Sequence, residues 1–261
     1  MDVEPLNIDQ LINSGAHFGH PTRKWNPKFN KYISSNKNGV HIINLNETQR
    51  CINEAVKALL KLVQNGKYIL FVGTKKQAKD IIQESADKCE MYYIVERWLG
   101  GTLTNFGTIK RSIKRLNILE QDSNVIYKNL TKKEVNKLHR ERIKLADLHR
   151  GIKDMRHLPS ALFVVDAKHE KIAVAEAKVL GIPTFGIVDT NTDPEILDFP
   201  IPANDDSVKS IKLIIEHIAK SISNATSKSE VEVEVSDSSE NTVEDSSKDD
   251  SQESVERHKV K

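Results

Sequence analysis

Histidines near the N-terminus and aspartates late in the chain are the side chains whose types suit metal binding. His17 and His20 are three residues apart and could share a helical face. Imidazole and carboxylate both suit zinc, but aspartates in a loop before a helix, such as those at 205–206, are usually caps. Because spacing this loose carries little specificity, we expect no metal and no cofactor. The residues that would bind a metal are His17, His20, Asp189, Asp205 and Asp206.

Two glycine-containing turns follow apolar runs, as phosphate-binding loops do. The run 68–72 is followed by GTKK (73–76), and Gly100-Gly101 follows a second run. Phosphate loops need glycines that let backbone amides reach the ligand at a helix N-terminus. Neither turn has the GxxxxGK[ST] spacing or a GxGxxG series. A tight turn between strand and helix explains Gly73 better than nucleotide binding does.

The chain lacks the common catalytic motifs. It has no GxSxG or HExxH sequence, and Cys51 and Cys89 are far apart without a CxxC partner. Isolated thiols in a chain without a secretory signal are typical of reduced, buried cysteines in a cytosolic protein. No apolar run approaches the ~18–20 residues of a membrane span. These features predict a cytoplasmic protein that is not an enzyme, has no small-molecule substrate and does not enter a membrane.

Aromatic residues lie among cations at two places. The segment Arg23-Lys24-Trp25-Asn26-Pro27-Lys28-Phe29 is predicted to be a loop, because proline disfavours a helix at the residue before it. Arg97-Trp98 repeats the pairing just before the two glycines. In RNA recognition, Arg and Lys contact phosphates while aromatic rings stack on bases. The alternative is that both tryptophans belong to the core, and for Trp98 we favour it.

Positive charge is concentrated in one part of the chain. Residues 108–156 contain 14 Lys and Arg against 6 Asp and Glu, a net charge of +8, whereas residues 1–107 and 157–224 together are neutral at 20 against 20. The remainder, 225–261, has 5 against 11, a net charge of −6. Such a basic element is the electrostatic signature of a polyphosphate partner. The alternative is a solvated helical hairpin.

The neutral part alternates apolar runs with helical patterns. Strands are predicted at 40–45, 68–72, 91–95, 161–165 and 183–188, and helices at 47–64, 76–88, 170–180 and 207–223. Gly66 and Gly181 stand where two of these helices should end. Continuous apolar strands separated by helices predict an α/β fold with a mostly parallel, Rossmann-like (flavodoxin-like) sheet covered on both faces.

The basic segment and the C-terminal segment interrupt this alternation. Ile109, Ile113, Leu116 and Leu119 share a helical stripe, and Leu138, Leu145 and Ile152 recur every seven residues. These patterns predict an inserted antiparallel α-helical coiled-coil hairpin with its cations on the outer faces. From residue 225 the chain is rich in Ser, Asp and Glu, which predicts a disordered acidic C-terminal tail.

Six segments carry a resemblance to a known family. They are INSGAHFGHPTRKWNPKF (12–29), GVHIINLNET (39–48), ILFVGTKKQA (69–78), RWLGGTLTNFGTIKRSIKRL (97–116), GIKDMRHLPSALFVVDAKHEKIAVAEAKVLGIPTFGIVDTNTDP (151–194) and IPANDDSVKSI (201–211). In order and in register, they closely resemble the bacterial-type ribosomal protein S-two family, the second protein of the small ribosomal subunit. The resemblance runs from about residue 8 to 222 and excludes only the tail.

The resemblance implies a structural, RNA-binding component of the ribosome. Family members have a Rossmann-like domain with a coiled-coil hairpin, touch small-subunit rRNA near the head–body junction, and in many bacteria help to anchor the OB-repeat protein S-one. Expected partners are therefore small-subunit rRNA and neighbouring ribosomal proteins, S-one included. Charge and aromatic context select the expected RNA contacts, which are Arg23, Lys24, Trp25, Lys28, Arg97, Lys110, Arg111, Lys114, Arg115, Arg140 and Lys144.

The predicted organisation has three parts. Residues 1–107 and 157–224 form the α/β domain, residues 108–156 the basic hairpin, and residues 225–261 the tail. Two other functions stay open on the sequence alone. One is a Rossmann domain that binds or converts a small molecule, and the other is a protein scaffold whose hairpin pairs with a partner helix.

Overall fold

The computed structural model describes residues 5–121 and 130–240, and this part of the chain contains eight strands and seven α-helices. The strands are β1 Phe18–Pro21, β2 Ile33–Lys37, β3 Val40–Ile43, β4 Ile69–Val72, β5 Tyr92–Ile94, β6 Ala161–Val165, β7 Thr184–Val188 and β8 Phe199–Pro202. The α-helices are α1 Ile8–Asn13, α2 Leu45–Gln64, α3 Lys79–Lys88, α4 Phe106–Gln121, α5 Lys132–His149, α6 Lys171–Val179 and α7 Val208–Glu240.

The central sheet is parallel throughout and has the strand order β5-β4-β6-β7-β8. Counted along the chain within this sheet, the order is 2-1-3-4-5, which is the flavodoxin-like arrangement. All residues of β4, β6 and β7 are buried. Strands covered on both faces read as continuous apolar runs. The predicted α/β class with a mostly parallel sheet is confirmed.

Alternate side chains of β4 enter two different cores, because successive side chains of a strand point to opposite faces. Ile69 and Phe71 pack with residues of α2, α3 and α7 on one face. Leu70 and Val72 pack with residues of α4 and α6 on the other face. The sheet is therefore a middle layer, and the loops at the carboxyl ends of its strands share one edge.

A second, three-stranded antiparallel sheet with the order β1-β3-β2 lies outside the parallel sheet. The strand predicted at 40–45 is real but belongs here, which corrects the assumption that it joins the parallel sheet. Its neighbour is set by the turn at Asn38-Gly39, where φ is 53° and 76°. Positive φ at both central residues is what a type I′ hairpin turn requires. β8, which contains two prolines, was not predicted.

The basic segment forms two helices, α4 and α5, which pack against each other. The predicted stripe of α4 is buried, and Ile109 and Ile113 of this stripe join the core on the sheet face. Ile152 also joins that core, from a 3-10 turn after α5 rather than from the helix itself. The helices are thus attached to the α/β domain at their base. Residues 122–129 lie outside the described part, and the coiled-coil hairpin stays a prediction.

The last helix, α7, continues to Glu240, well past the predicted boundary at residue 225. Ala225 itself is buried in the core with the preceding turns of the helix. Residues 241–261 lie outside the described part, so the disordered tail stays a prediction, as does the three-part division of the chain. Among the described helices, none is long and apolar enough to cross a membrane.

Candidate nucleic-acid surface and the charged cluster at the sheet edge

Three of the predicted RNA contacts converge on one open groove. Arg97, from the loop after β5, lies beside Arg140 and Lys144 of α5, and together they line a cavity of ≈ 410 Å³. Ile143 and Leu148 add apolar surface to its lining. We call this feature the cationic groove. It joins a residue of the α/β domain to residues of the basic helix.

The acidic residues of the cationic groove already have partners. Glu96 pairs with Lys79 at 2.7 Å, and Asp147 pairs with Arg150 at 3.5 Å. Within the described part of the chain, Arg97, Arg140 and Lys144 make no ion pair. Their charge therefore stays available for an anionic ligand outside the protein.

The groove continues into a stripe of cations along α5. Lys133, Lys137, Arg140 and Lys144 follow one another at spacings of four, three and four residues, and all four are exposed. Residues at these spacings share one face of a helix. Lys133 and Lys137 were not among the predicted contacts, although their helical spacing was visible in the sequence. We call the four residues the basic stripe.

The predicted contacts on α4 divide into two groups. Lys110, Arg111 and Lys114 are exposed, with the Lys110 ammonium 4.8 Å from the centre of the Phe106 ring. Arg115 instead reaches Glu141 of α5, with its Nε 3.0 Å from the carboxylate. This pair holds the two helices together, so the charge of Arg115 is largely neutralised.

A buried histidine also joins the two helices. The His149 ring is 1% exposed, and its Nε2 lies 2.8 Å from Ser112 Oγ. Burial lowers the pKa of His149, which is therefore neutral near pH 7. The sequence did not single out either residue.

The loop of cations and aromatics near the N-terminus packs on the loop after β7. The Asn26 amide donates to the Thr190 carbonyl at 2.7 Å, and Trp25 is half-buried with its ring 4.9 Å from that of His41. Lys28 is paired with Asp193 and Glu195, at 2.9 and 2.8 Å. The other two predicted contacts of this loop, Arg23 and Lys24, are exposed.

Trp98 is buried, as favoured from the sequence, and Glu176 explains why. The Glu176 carboxylate on α6 accepts hydrogen bonds from the Trp98 indole and from the backbone amides of Gly101, Leu103 and Thr104, at 2.8–3.1 Å. Burial alone would raise the pKa of Glu176, but these donors hold it below its usual value. One carboxylate thus fixes the loop that leads from Arg97 into α4.

A group of charged side chains gathers at the carboxyl edge of the parallel sheet. Lys75, after β4, lies within 3.2 Å of Asp166 after β6, within 2.8 Å of Asp205 and within 2.6 Å of Asp206. Burial opposes the charge of Lys75, but the carboxylates raise its pKa above the usual value. We call this group, together with His20 and Asp189, the charged cluster.

The structure brings together three of the five metal candidates. His20, Asp189 and Asp205 each offer a ligand atom, and these atoms lie within 4.8 Å of one another. His17 is not in this group, and its ring instead packs on Phe18. Asp206 lies at the rim, with its Oδ2 3.4 Å from His20 Nε2.

The view of Asp205 and Asp206 as helix caps is wrong. Their carboxylates bind Lys75, because the loop before α7 turns them toward the sheet edge. The backbone amides of Asp206 and Ser207 donate to the Asn204 side chain. The residue after them, Ser207, does cap the helix, because its hydroxyl accepts from the Ser210 amide at 3.4 Å.

The loop after β4 is occupied by carboxylates. The Thr74 amide and hydroxyl both donate to Glu170, at 2.8 and 2.6 Å. A β-carbon at Gly73 would lie 2.1 Å from the end of the Ile82 side chain, so this glycine serves close packing. A phosphate placed here would meet negative charge, which argues against the nucleotide-binding alternative.

The fold and surface define an α/β protein of the Rossmann-like class, with a basic pair of helices inserted between β5 and β6. A family model described as "Ribosomal protein S2" matches residues 11–225. The chain is 49% identical over 226 residues to small ribosomal subunit protein uS2 of Cytophaga hutchinsonii, covering 86% of this chain and 89% of the relative.

Two further relatives of the same name come from phytoplasmas. The proteins of Onion yellows phytoplasma and Aster yellows witches'-broom phytoplasma are each 52% identical over 211 residues, which cover 80% of this chain and 78% of each relative. The chain therefore belongs to the ribosomal protein S2 family. It is a structural constituent of the small ribosomal subunit, within the translation machinery, and not an enzyme.

Proposed function

We propose that this chain binds small-subunit rRNA through the cationic groove and the basic stripe, and that this contact supports assembly of the subunit near its head–body junction. The cationic groove is the observation that carries the proposal. Arg97, Arg140 and Lys144 converge there while the neighbouring acids are already paired. The phosphates of a nucleic acid bind such sites because the fixed cations of the protein release the counterions that are condensed on the nucleic acid.

The remaining predicted contacts differ in the strength of their support. Lys110, Arg111, Lys114, Arg23 and Lys24 are exposed and stay in the proposed surface. Trp25 is half-buried and would offer part of one ring face to a base or ribose. The ion pairs of Lys28 and Arg115 weaken their case, because a phosphate would have to displace a carboxylate from each.

The salt dependence of rRNA binding tests this proposal. A variant with Arg97→Gln, Arg140→Gln and Lys144→Gln removes three cations without changing the packed core. A charge-matched control replaces Lys57, Lys61 and Lys67, which are exposed on α2 and just after it. Binding of the full chain to purified small-subunit rRNA is measured at several salt concentrations, and log affinity is plotted against log salt.

Each phosphate contact contributes about 0.7–0.9 to the slope. We therefore expect the groove variant to make the negative slope shallower by about 2 to 3 and to weaken binding at every salt concentration. The control variant should change the slope much less. Equal slopes for the wild type and the groove variant would show that these three cations face solvent and would refute the proposed contact.

We further propose that the chain acts in the cytoplasm, within the ribosome, and helps to dock the OB-repeat protein S-one during translation initiation. The resemblance to the family supports this step, since members in many bacteria help to anchor that protein. Small subunits reconstituted with and without the chain would be compared for retained S-one. Equal retention would contradict the docking step and leave rRNA binding untouched.

A further inference from the structure

We propose that His20, Asp189 and Asp205 bind a zinc ion at the carboxyl edge of the parallel sheet. The site lies at the ends of β7 and β8, next to the point between β4 and β6 where the strand order reverses. Open α/β sheets bind their ligands outside the carboxyl ends of their strands. The proposal concerns the α/β domain and does not depend on RNA binding.

The geometry suits a small ion with few ligands. One imidazole nitrogen and two carboxylate oxygens lie within 4.8 Å of one another, and His20 Nδ1 is 2.9 Å from Asp189 Oδ2. Ligands of tetrahedral zinc, at about 2.0–2.1 Å from the metal, stand about 3.3 Å apart. The three donors therefore need only small side-chain movements. A water molecule would fill the fourth position.

An unpaired carboxylate oxygen is the second observation. Asp205 is 0% exposed, and one of its oxygens accepts from Lys75 at 2.8 Å. The other oxygen, Oδ2, is buried and has no hydrogen-bond partner among the described residues. A buried carboxyl oxygen without a partner is costly, and a metal bond would satisfy it.

The balance of charge points in the same direction. Lys75 pairs with Asp166, Asp205 and Asp206, and Asp189 pairs with His20. The four carboxylates of the charged cluster thus face at most two positive charges within it, so negative charge is in excess. A divalent cation would offset that excess.

The donor set favours zinc over magnesium. Magnesium prefers oxygen ligands in octahedral geometry and retains several waters. Asp189 and Asp205 are 1% and 0% exposed, which leaves little room for a water shell, and one donor is an imidazole nitrogen. Zinc accepts nitrogen and carboxylate donors at low coordination number. A bound zinc ion would also join β1, which carries His20, to the parallel sheet.

The test uses the untagged, full-length chain and two variants of the site. Asp205→Asn keeps the shape but removes the charge, and His20→Gln removes the imidazole. His17→Gln is the matched control, because His17 is three residues away and outside the group. Zinc per chain is measured by mass spectrometry of the element after gel filtration, and the melting temperature is measured with zinc and with magnesium.

We expect about one zinc per chain in the wild type and in His17→Gln, and loss of that zinc in both site variants. Zinc at a hundredfold excess over its dissociation constant should raise the melting temperature of the wild type by about 5 to 10 °C. No bound zinc in the wild type, equal zinc in Asp205→Asn, or an equal shift with magnesium would each overturn the proposal.

Cobalt provides a readout that needs no variant. Cobalt(II) in a site with four nitrogen and oxygen ligands gives intense visible absorption bands, whereas octahedral cobalt gives weak ones. We expect intense bands when cobalt is added to the wild-type chain, and their loss when zinc is added in equal amount. Weak bands, or bands that zinc does not remove, would overturn the proposal even if both site variants failed to fold.

Discussion

Replacement of Glu176 by glutamine should strongly destabilise the protein. Oε1 accepts from the Trp98 indole and the Gly101 amide, and Oε2 accepts from the Leu103 amide and from the amide and hydroxyl of Thr104. Glutamine has one oxygen and one NH₂ group. Whichever way the amide is turned, at least two N–H donors then face another donor.

The magnitude follows from those lost bonds. A buried donor left without a partner costs about 1–3 kcal/mol, so two cost about 2–6 kcal/mol. The lower end is expected, because Gly101 and Thr104 are partly open to water. Since whole domains are stable by about 5–15 kcal/mol, this is a large fraction of the free energy of unfolding.

Denaturant unfolding followed by far-ultraviolet circular dichroism measures this loss. The matched control is Glu84→Gln, which makes the same chemical change at an exposed position on α3. We expect a change below about 0.5 kcal/mol for the control. Hydrogen exchange should also become faster in the loop 98–104 of the Glu176 variant. A loss below about 0.5 kcal/mol for Glu176→Gln would refute the assignment of this carboxylate as the anchor of the loop.

The pH dependence gives an independent check. The pKa of Glu176 is lower in the folded state than in the unfolded state. Its contribution to stability is therefore present above the unfolded pKa of about 4.3 and is lost as the pH falls through the lower folded value. The difference in stability between wild type and Glu176→Gln should shrink on acidification below that point. A constant difference would contradict this reasoning.

Two further predictions concern the base of the basic helices. A β-carbon at Gly151 would lie 2.2 Å from the Tyr93 carbonyl oxygen, so Gly151→Ala should lower the free energy of unfolding in denaturant by about 1–3 kcal/mol. The control is Gly107→Ala, which should be neutral or stabilising because a β-carbon there meets nothing within 4 Å. Equal effects of the two substitutions would refute the close packing at Gly151. Because burial lowers the pKa of His149, the unfolded chain binds its proton first, so stability should fall as the pH drops below about 6.5. His149→Gln should reduce that slope, and an unchanged slope would exclude His149 as its source.

Much of the fold is visible in the sequence because it depends on local patterns. The continuous apolar runs of β4, β6 and β7 predict the parallel sheet, since strands buried on both faces need no polar side. Gly66 and Gly181 stand just after α2 and α6, each with φ of +66°. Left-handed backbone of this kind ends a helix, and glycine adopts it at low cost. The identity of the family likewise follows from long motifs.

Pairings between distant segments were not visible. The strand at 40–43 could be recognised, but the composition of the strand does not say which sheet it joins. Glu176 looked like an ordinary polar position on a short helix, and its five donors come from a loop far away in the sequence. His20 and Asp205 also meet only because β1 packs beside the end of the parallel sheet.

The sequence by itself determined the kind of chain this is: an α/β domain, a basic insertion and membership of a ribosomal protein family. Composition and motif order suffice for that, because they do not depend on which side chains meet. Only the tertiary structure decided the state of each charge. It pairs Lys28 and Arg115 with carboxylates and leaves Arg97, Arg140 and Lys144 together in one groove. A cation is available to a partner only when no folded neighbour neutralises it, and neighbours are set by the fold.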